Sequence, residues 1–202
     1  MIKLVVASKN AGKIREFTQM FQKLPFEILS LSNFHDIEEP EETGLTFMQN
    51  AQLKARYYAD ATGELCMADD SGLEVYSLNS APGVLSARYA GTHGSDSDNN
   101  NLLLANMLNK QERGCRFFCA LAVAQPDGHV LFETEGFCEG ELLYAEKGQG
   151  GFGYDPLFFS LDLKKSLAEA TPSEKNSVSH RSRALKKLVK KMGEAYADRI
   201  DR

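Results

Sequence analysis

Apolar positions in the first part of the chain follow two different spacings. Residues 2–7 are mostly apolar, as in a buried strand, and the apolar residues within 14–24 recur at helical spacing. The turn between them, residues 8–13, consists of small and polar side chains, and residues 26–34 have the pattern of a second strand. The spacing therefore predicts a strand, a helix and another strand in succession.

Capping residues mark the starts of two further helices. Thr46 with Gln49 three residues later forms a capping-box pattern, and Gly63 is placed to end the helix that it opens. Residues 171–174 supply a cap, a proline in the first turn and a glutamate at the third position. The polar residues 92–101 are expected to form a loop. The apolar faces expected for the two helices consist of Phe47, Ala51, Ala55 and Tyr58, and of Leu185, Leu188, Val189 and Met192.

The middle of the chain has the pattern of strands. A buried strand is expected to end at Asp69 and Asp70, and residues 114–142 are expected to form strands around a turn at Asp127 and Gly128. Helices and strands alternate in the first part of the chain, and antiparallel pairs dominate the middle. The predicted fold class is therefore α/β with a mixed sheet.

Length and composition restrict the class of protein. A chain of 202 residues forms one large domain or two small lobes that share a core. Its net charge of −5 argues against a broad nucleic-acid surface, and no apolar run approaches the roughly 20 residues that cross a membrane. The N-terminal apolar stretch is too short for a signal peptide. The cysteines show no zinc spacing, so we expect buried, reduced thiols in a cytoplasmic protein. They are Cys66, Cys115, Cys119 and Cys138.

The predicted first strand runs into a helix through a turn that favours an anion. A helix start presents unpaired backbone N–H groups, and Lys13 adds a cation where a cation is normally unfavourable. Ala7 and Ile14 depart from the Walker A pattern, so this is not a P-loop. On spacing alone, a phosphate site and a plain capped helix start remain equal alternatives.

Two pairs of carboxylates could hold a metal ion. Asp69 and Asp70 are neighbours on a predicted strand, so one can point into a site while the other orients it. Glu41 and Glu42 lie in an acidic loop and could supply a second ligand for a hard cation such as Mg²⁺. The alternatives are an Asx turn after the strand and a solvated acidic loop.

A glycine-rich segment and a later polar cluster could recognise a base. Residues 148–156, GQGGFGYDP, present aromatic side chains on a backbone that can approach a ligand closely. Near the last helix, Lys175, His180 and Arg181 could direct three donors at one ligand. The alternatives are a flexible turn with a core aromatic residue and a structural histidine.

Six segments together resemble the inosine triphosphate pyrophosphatase family, in the order and spacing of that family and over nearly the whole chain. They are ASKNAGKIREF, EETGLTFMQNAQLKA, ADDSGLEV, APGVLSARYAG, GGFGYDPLF and EKNSVSHRSRAL. One departure is Gln49, which stands where many members carry glutamate, and another is the tail beyond the last segment.

The resemblance implies a pyrophosphatase acting on ITP, dITP and XTP, dependent on Mg²⁺ and usually a homodimer. It implies a single domain over residues 1–202, with a long mixed sheet, flanking helices and two lobes around a central cleft. Asp70 matches the general base and a metal ligand, beside Asp69 and one of Glu41 and Glu42. The positions that match substrate contacts are Ser8, Lys9, Asn10, Ala11, Gly12, Lys13, Ser71, Phe152, Gly153, Tyr154, Asp155, Lys175, His180 and Arg181.

Two other functions remain open at this point. The same residues could serve a pyrophosphatase that acts on pyrimidine or modified-base nucleotides. They could also serve a sensor that binds a nucleoside triphosphate without cleaving it.

Overall fold

The computed structural model describes residues 1–8, 11–34, 37–91 and 95–197, without the side chains of residues 11–13 and 16. The helices are α1 Ala11–Phe21, α2 Phe47–Thr62, α3 Asp96–Asn106, α4 Pro172–Val178 and α5 His180–Ala195. The strands are β1 Ile2–Val6, β2 Phe26–Ser30, β3 Leu65–Val75, β4 Gly114–Ala124, β5 Val130–Leu142, β6 Phe158–Ser160 and β7 Lys165–Ser166.

Within the described residues, these strands form one seven-stranded sheet in the order β2-β1-β3-β4-β5-β6-β7. The strand β1 is parallel to both of its neighbours, with Val5 opposite Leu29 on one side and Cys66 on the other. The pairs β5–β6 and β6–β7 are antiparallel. The prediction of a mixed sheet with flanking helices is confirmed.

Helix α2 forms as its capping residues predict. The Thr46 side chain accepts a hydrogen bond from the Gln49 N–H, and the Gln49 side chain accepts one from the Thr46 N–H. Glutamine therefore completes the capping box as a glutamate would. Gly63 ends the helix with φ 69°, a left-handed conformation that glycine adopts without a Cβ penalty. The predicted apolar face of Phe47, Ala51, Ala55 and Tyr58 is buried.

The prediction that a strand ends at Asp69 and Asp70 is wrong, because β3 continues to Val75. The residues after the carboxylates keep the strand in the core, since Leu73 and Val75 are fully buried. The carboxylates therefore lie within a strand, and the alternative of an Asx turn is excluded.

The predicted loop at residues 92–101 is wrong from Ser95 onwards, because α3 begins at Asp96. Ser95 and Asp98 form a capping box in which each side chain accepts from the other residue's backbone N–H. Polar residues at a helix start satisfy N–H groups that have no partner within the helix, so a polar run can open a helix.

The single final helix expected after Thr171 is divided in two. Ser179 has an extended backbone, with φ −62° and ψ 148°, between α4 and α5. The cap at Thr171 is confirmed, and the predicted apolar face belongs to α5, where Leu185, Leu188 and Met192 are fully buried. His180 therefore opens a helix of its own.

The chain divides into two compact units. The first unit comprises Met1–Asp70, Ala120–Glu135 and Ala184–Arg202, and the second comprises Ser71–Cys119 and Gly136–Arg183. The core of the second unit consists of Leu73, Val75, Leu103, Met107, Cys115, Phe117, Cys138, Leu142, Tyr154, Leu157, Phe158 and Leu167. All four cysteines are buried and free, as predicted. Among the described helices, none is long and apolar enough to span a membrane.

Candidate active site

A largely shielded lysine joins two carboxylates in the first unit. Lys54 Nζ donates to Glu42 Oε1 at 2.6 Å and to Asp70 Oδ1 at 3.3 Å. The three side chains are largely shielded from solvent, with side-chain exposures of 12% for Lys54, 22% for Glu42 and 11% for Asp70. Two carboxylate oxygens thus converge on one positive charge. We call Glu42, Asn50, Lys54 and Asp70 the carboxylate group.

Asn50 fixes the arrangement of the carboxylate group. It lies one helical turn before Lys54 on α2, so both side chains leave the same face. Its Nδ2 donates to Asp70 Oδ2 at 3.1 Å, and its Oδ1 accepts from the Gly44 N–H at 2.7 Å. A Cβ at Gly44 would lie 2.5 Å from Asn50 Oδ1, so this close approach requires glycine. Asn50 therefore ties Asp70 to the segment that carries Glu42.

Within the carboxylate group, the pKa values of both Asp70 and Lys54 are raised. Burial raises the pKa of the Asp70 carboxyl; Lys54 opposes this shift, Glu42 adds to it, and Asn50 opposes it by its hydrogen bond. Burial lowers the pKa of Lys54, but Asp70 and Glu42 outweigh burial and raise it overall. The pKa of Asp70 is thus closer to neutral pH than the pKa of a solvated aspartate, and a general base works best when its pKa lies near the working pH.

The donor set of the carboxylate group suits Mg²⁺ bound together with a phosphate. Among the described residues, no cluster of three or more histidine, cysteine, aspartate and glutamate side chains could hold a metal ion. Mg²⁺ is commonly held by one or two carboxylates, with substrate phosphates and water completing its shell. Glu42 and Asp70 are two such carboxylates, and both already point at the Lys54 ammonium.

The structure distinguishes the two glutamates of the acidic loop. Glu42 is part of the carboxylate group, whereas Glu41 is exposed, and Asp69 is half-buried beside Asp70. For the Mg²⁺-dependent activity that the resemblance implies, we expect Glu42→Gln to raise the Mg²⁺ requirement, the concentration for half-maximal activity, about tenfold or more, because it removes one charged candidate ligand. Glu41→Gln is the matched control and is expected to leave the requirement unchanged. Activity measured over a range of Mg²⁺ concentrations tests both variants. Equal shifts in the Mg²⁺ requirement would contradict the choice of Glu42 over Glu41 as the metal ligand.

The second unit presents an aromatic ring beside a lysine. Phe152 is 65% exposed, and Lys175 Nζ lies 4.4 Å from the centroid of its ring. Asp155 is buried and forms an ion pair with Lys175, and it also accepts from the Phe152 N–H at 2.9 Å. Phe152 is thus an accessible stacking surface held by Asp155.

Tyr154 does not offer a second stacking surface. It is only 4% exposed, belongs to the core of the second unit, and donates from its hydroxyl to the Ser86 carbonyl at 2.8 Å. Of the two aromatic side chains in the glycine-rich segment, Phe152 is therefore the accessible one, and Tyr154 anchors the segment instead.

The predicted donors around the last helices have different neighbours. Lys175 pairs with Asp155, and Arg181 Nη2 lies 3.5 Å from Ser71 Oγ. His180 is buried and stacks on Phe117, with ring centroids 5.0 Å apart and planes within 16°. His180 thus has the packing of a structural histidine.

The predicted phosphate-binding turn is described in part. Helix α1 does follow β1, as predicted, and the Ser8 carbonyl accepts from Ser30 Oγ at 3.4 Å. Lys9 and Asn10 lie outside the described residues. For the positions Ala11, Gly12 and Lys13, the helical backbone is described but the side chains are not. The role of this turn therefore stays a prediction.

Comparison with known proteins identifies the family. A model of the Ham1 family matches residues 4–191. The chain belongs to the Ham1 family. A protein named dITP/XTP pyrophosphatase from Bacillus anthracis is 47% identical over 199 residues, which cover 97% of this chain and 98% of the relative. The resemblance found in the sequence is confirmed.

Solved structures of Ham1 proteins share the fold. A HAM1 protein from Coxiella burnetii matches with a TM-score of 0.91 and 37% identity, covering 96% of this chain and all of the other. The Ham1 protein of Staphylococcus aureus matches with a TM-score of 0.89 and 37% identity, covering 96% and 99%. The sheet and its flanking helices are therefore those of the Ham1 fold.

Sequence reasoning missed two members of the carboxylate group in this Ham1 chain. Asn50 and Lys54 stand one turn apart on α2, among the alanines of its buried face. This spacing could have indicated that both residues belong to a site, because polar side chains next to the buried stripe of a helix are shielded from water and need hydrogen-bond partners. The partners are Asp70 and Glu42, far away in the sequence.

Proposed function

We propose that this Ham1-family chain is a nucleoside triphosphate pyrophosphatase. It hydrolyses non-standard purine nucleotides such as ITP, dITP and XTP to the monophosphate and pyrophosphate, and so cleanses the nucleotide pool. The observation that carries the proposal is the convergence of Glu42 and Asp70 on Lys54, a shielded pair of carboxylates that would suit Mg²⁺ bound together with a polyphosphate. The relative from Bacillus anthracis, named dITP/XTP pyrophosphatase, supports the choice of substrate.

The carboxylate group acts on the phosphate end of the nucleotide. Asp70 orients and deprotonates the attacking water, and its raised pKa makes it a better base than a solvated aspartate. Lys54 and Lys13 offset negative charge on the phosphates, and the start of α1 adds backbone donors. Mg²⁺, held by Glu42 and Asp70, would supply further neutralisation of the developing charge. Asn50 keeps the Asp70 carboxylate in one orientation.

The residues of the second unit recognise the base. Phe152 offers its exposed face for stacking, and Lys175 or Arg181 would supply a donor for a purine 6-oxo group, while His180, stacked on Phe117, is the less accessible alternative. Adenine carries a 6-amino group and would leave such donors unpaired. A buried unpaired donor costs about 1–3 kcal/mol, which is a substantial penalty against ATP. Guanine shares the 6-oxo group and must be refused at its 2-amino group.

One assay tests the proposal and separates its rivals. Purified protein with Mg²⁺ is expected to release pyrophosphate from ITP and XTP roughly 5- to 150-fold faster than from ATP, because the adenine penalty of about 1–3 kcal/mol applies in the transition state. The panel also includes GTP and dTTP. Preference for dTTP would indicate the pyrimidine or modified-base enzyme instead. Binding of ITP without release of pyrophosphate would indicate the sensor.

The compartment and assembly are also part of the proposal. The four free, buried cysteines support a reducing compartment, namely the cytoplasm, and the net charge of −5 supports small nucleotides rather than nucleic acid as partners. The resemblance to the pyrophosphatase family supports a homodimer. Light scattering of the purified protein at several concentrations would distinguish a dimer from a monomer.

A further inference from the structure

Two side chains of α3 hold the peptide groups of Gly153 from both sides. The Gly153 N–H donates to Asp96 Oδ2 at 2.6 Å, and the Gly153 carbonyl accepts from Asn100 Nδ2 at 3.2 Å. Asp96 and Asn100 are one helical turn apart on α3, so their side chains leave the same face. We call Asp96 and Asn100 the α3 clamp.

The α3 clamp is itself held in place. Asn100 is only 2% exposed, and its Nδ2 also donates to Glu146 Oε1 at 2.8 Å. The neighbouring Asn99 anchors the helix, because its Oδ1 accepts from the Ala90 N–H at 2.7 Å. A helix fixed in this way can impose an orientation on Gly153 instead of following its motion.

Gly153 occupies the position that decides where Phe152 points. It has φ 59°, a backbone conformation that favours glycine, and it stands between the exposed Phe152 and the buried Tyr154. On one side, Asp155 accepts from the Phe152 N–H, and on the other, Tyr154 is anchored to the Ser86 carbonyl. With the clamp on Gly153, successive peptide groups are fixed, and the Phe152 ring has a defined place.

We propose that Asp96 and Asn100 are positioning residues for purine selection, an inference that rests on the proposed function. A purine base stacked on Phe152 lies at a fixed distance from the side-chain donors that bind it only if the Phe152 ring is itself fixed. A looser Phe152 would weaken the contacts that favour ITP, while ATP, which gains little from those donors, would be affected less. The α3 clamp therefore contributes to selectivity without touching the nucleotide.

The kinetic test compares three single substitutions on α3. Asp96→Ala removes the acceptor for the Gly153 N–H, whereas Asp96→Asn keeps an acceptor oxygen. Asp98→Ala is the matched control, because Asp98 caps the same helix through Ser95. We expect Asp96→Ala to lower kcat/KM for ITP about tenfold through KM, with kcat within about twofold and ATP unaffected. Asp96→Asn and Asp98→Ala should keep the wild-type ratio of ITP to ATP.

A second test does not depend on activity. The chain has no tryptophan, so Phe152→Trp places the only one in the segment that the α3 clamp holds. Fluorescence anisotropy of this tryptophan is expected to fall when Asp96→Ala is added and to stay unchanged when Asp98→Ala is added. Loss of the hydrogen bond from the Gly153 N–H frees the local backbone, whereas after loss of the Asp98 cap α3 is still anchored by Asn99 and its side chains still contact Gly153.

The outcomes separate the two levels of inference. If the wild-type protein releases no pyrophosphate from ITP, the proposed function fails and the selectivity role fails with it, while anisotropy alone still decides whether the clamp orders Phe152. If the wild-type protein is active but Asp96→Ala matches Asp98→Ala in selectivity and anisotropy, the role of the α3 clamp is overturned.

Discussion

Replacing Asp70 with asparagine is expected to remove most of the turnover while nucleotide binding persists. The substitution keeps the size of the side chain and an oxygen for the Asn50 amide to donate to, but it removes the carboxylate that we propose as the base. Loss of general base catalysis alone costs about 10²–10⁴-fold in kcat. Pyrophosphate release and ITP binding by calorimetry should therefore respond very differently.

The matched control is Asp60→Asn, the same substitution at an exposed aspartate of α2. It is expected to leave both turnover and binding unchanged. Turnover near the wild-type rate in Asp70→Asn would remove Asp70 from the role of base. Loss of binding together with turnover would instead make Asp70 a substrate-binding residue.

The same variant is expected to unfold at a higher temperature than the wild type at pH 7. Because burial raises the pKa of Asp70 in the folded protein, the folded state binds more protons than the unfolded state between the two pKa values. Stability is therefore lost as the pH rises through this interval, and an uncharged asparagine avoids the loss. The difference in melting temperature should vanish at a pH below both values, where Asp70 is protonated in either state.

Local sequence patterns predicted the parts of the fold that local interactions determine. The bounds of α2 are predicted by Thr46 and Gln49 at its start and by Gly63 at its end. The first two side chains accept hydrogen bonds from backbone N–H groups, and Gly63 adopts the left-handed conformation that ends the helix. The strand β1 and its successor helix are likewise recognisable from spacing. The mixed sheet follows from the order of such elements.

The elements that were wrong depend on tertiary partners. The strand β3 continues past Asp70 because Leu73 and Val75 are buried in the second unit and Ser86 Oγ accepts from the Leu73 N–H. The polar start of α3 combines a local capping box of Ser95 and Asp98 with hydrogen bonds from outside the helix, from the N–H groups of Ala90 and Gly153. A residue-by-residue pattern contains no information about such distant partners.

The same limit applies to the candidate site. The sequence identified the two pairs of carboxylates as candidate metal ligands, but only the position of Lys54 in the structure distinguishes Glu42 from Glu41. The sequence also could not separate Phe152 from Tyr154, because both are aromatic and only burial distinguishes them. What the sequence supplies is the list of residue types, and the fold decides which of them meet.

Lys54→Met is expected to destabilise the protein more than any other substitution in the carboxylate group. It leaves Glu42 and Asp70 shielded from solvent without their common cation, and removing one partner of a buried ion pair costs about 3–5 kcal/mol. For a chain of this length we expect a fall in melting temperature of roughly 6–20 °C at pH 7. Lys186→Met, at an exposed position of α5, is the control and should change it little.

A double substitution then measures the coupling between lysine and aspartate. When Asp70→Asn is added to Lys54→Met, only one carboxylate remains without its cation, so Asp70→Asn should stabilise Lys54→Met more than it stabilises the wild type. Groups in direct contact typically show interaction energies of about 0.5–3 kcal/mol, well above the error of additivity. Urea unfolding of the wild type, both single variants and the double variant gives this value. Additive effects would mean that the 3.3 Å contact between Lys54 and Asp70 carries no interaction in solution.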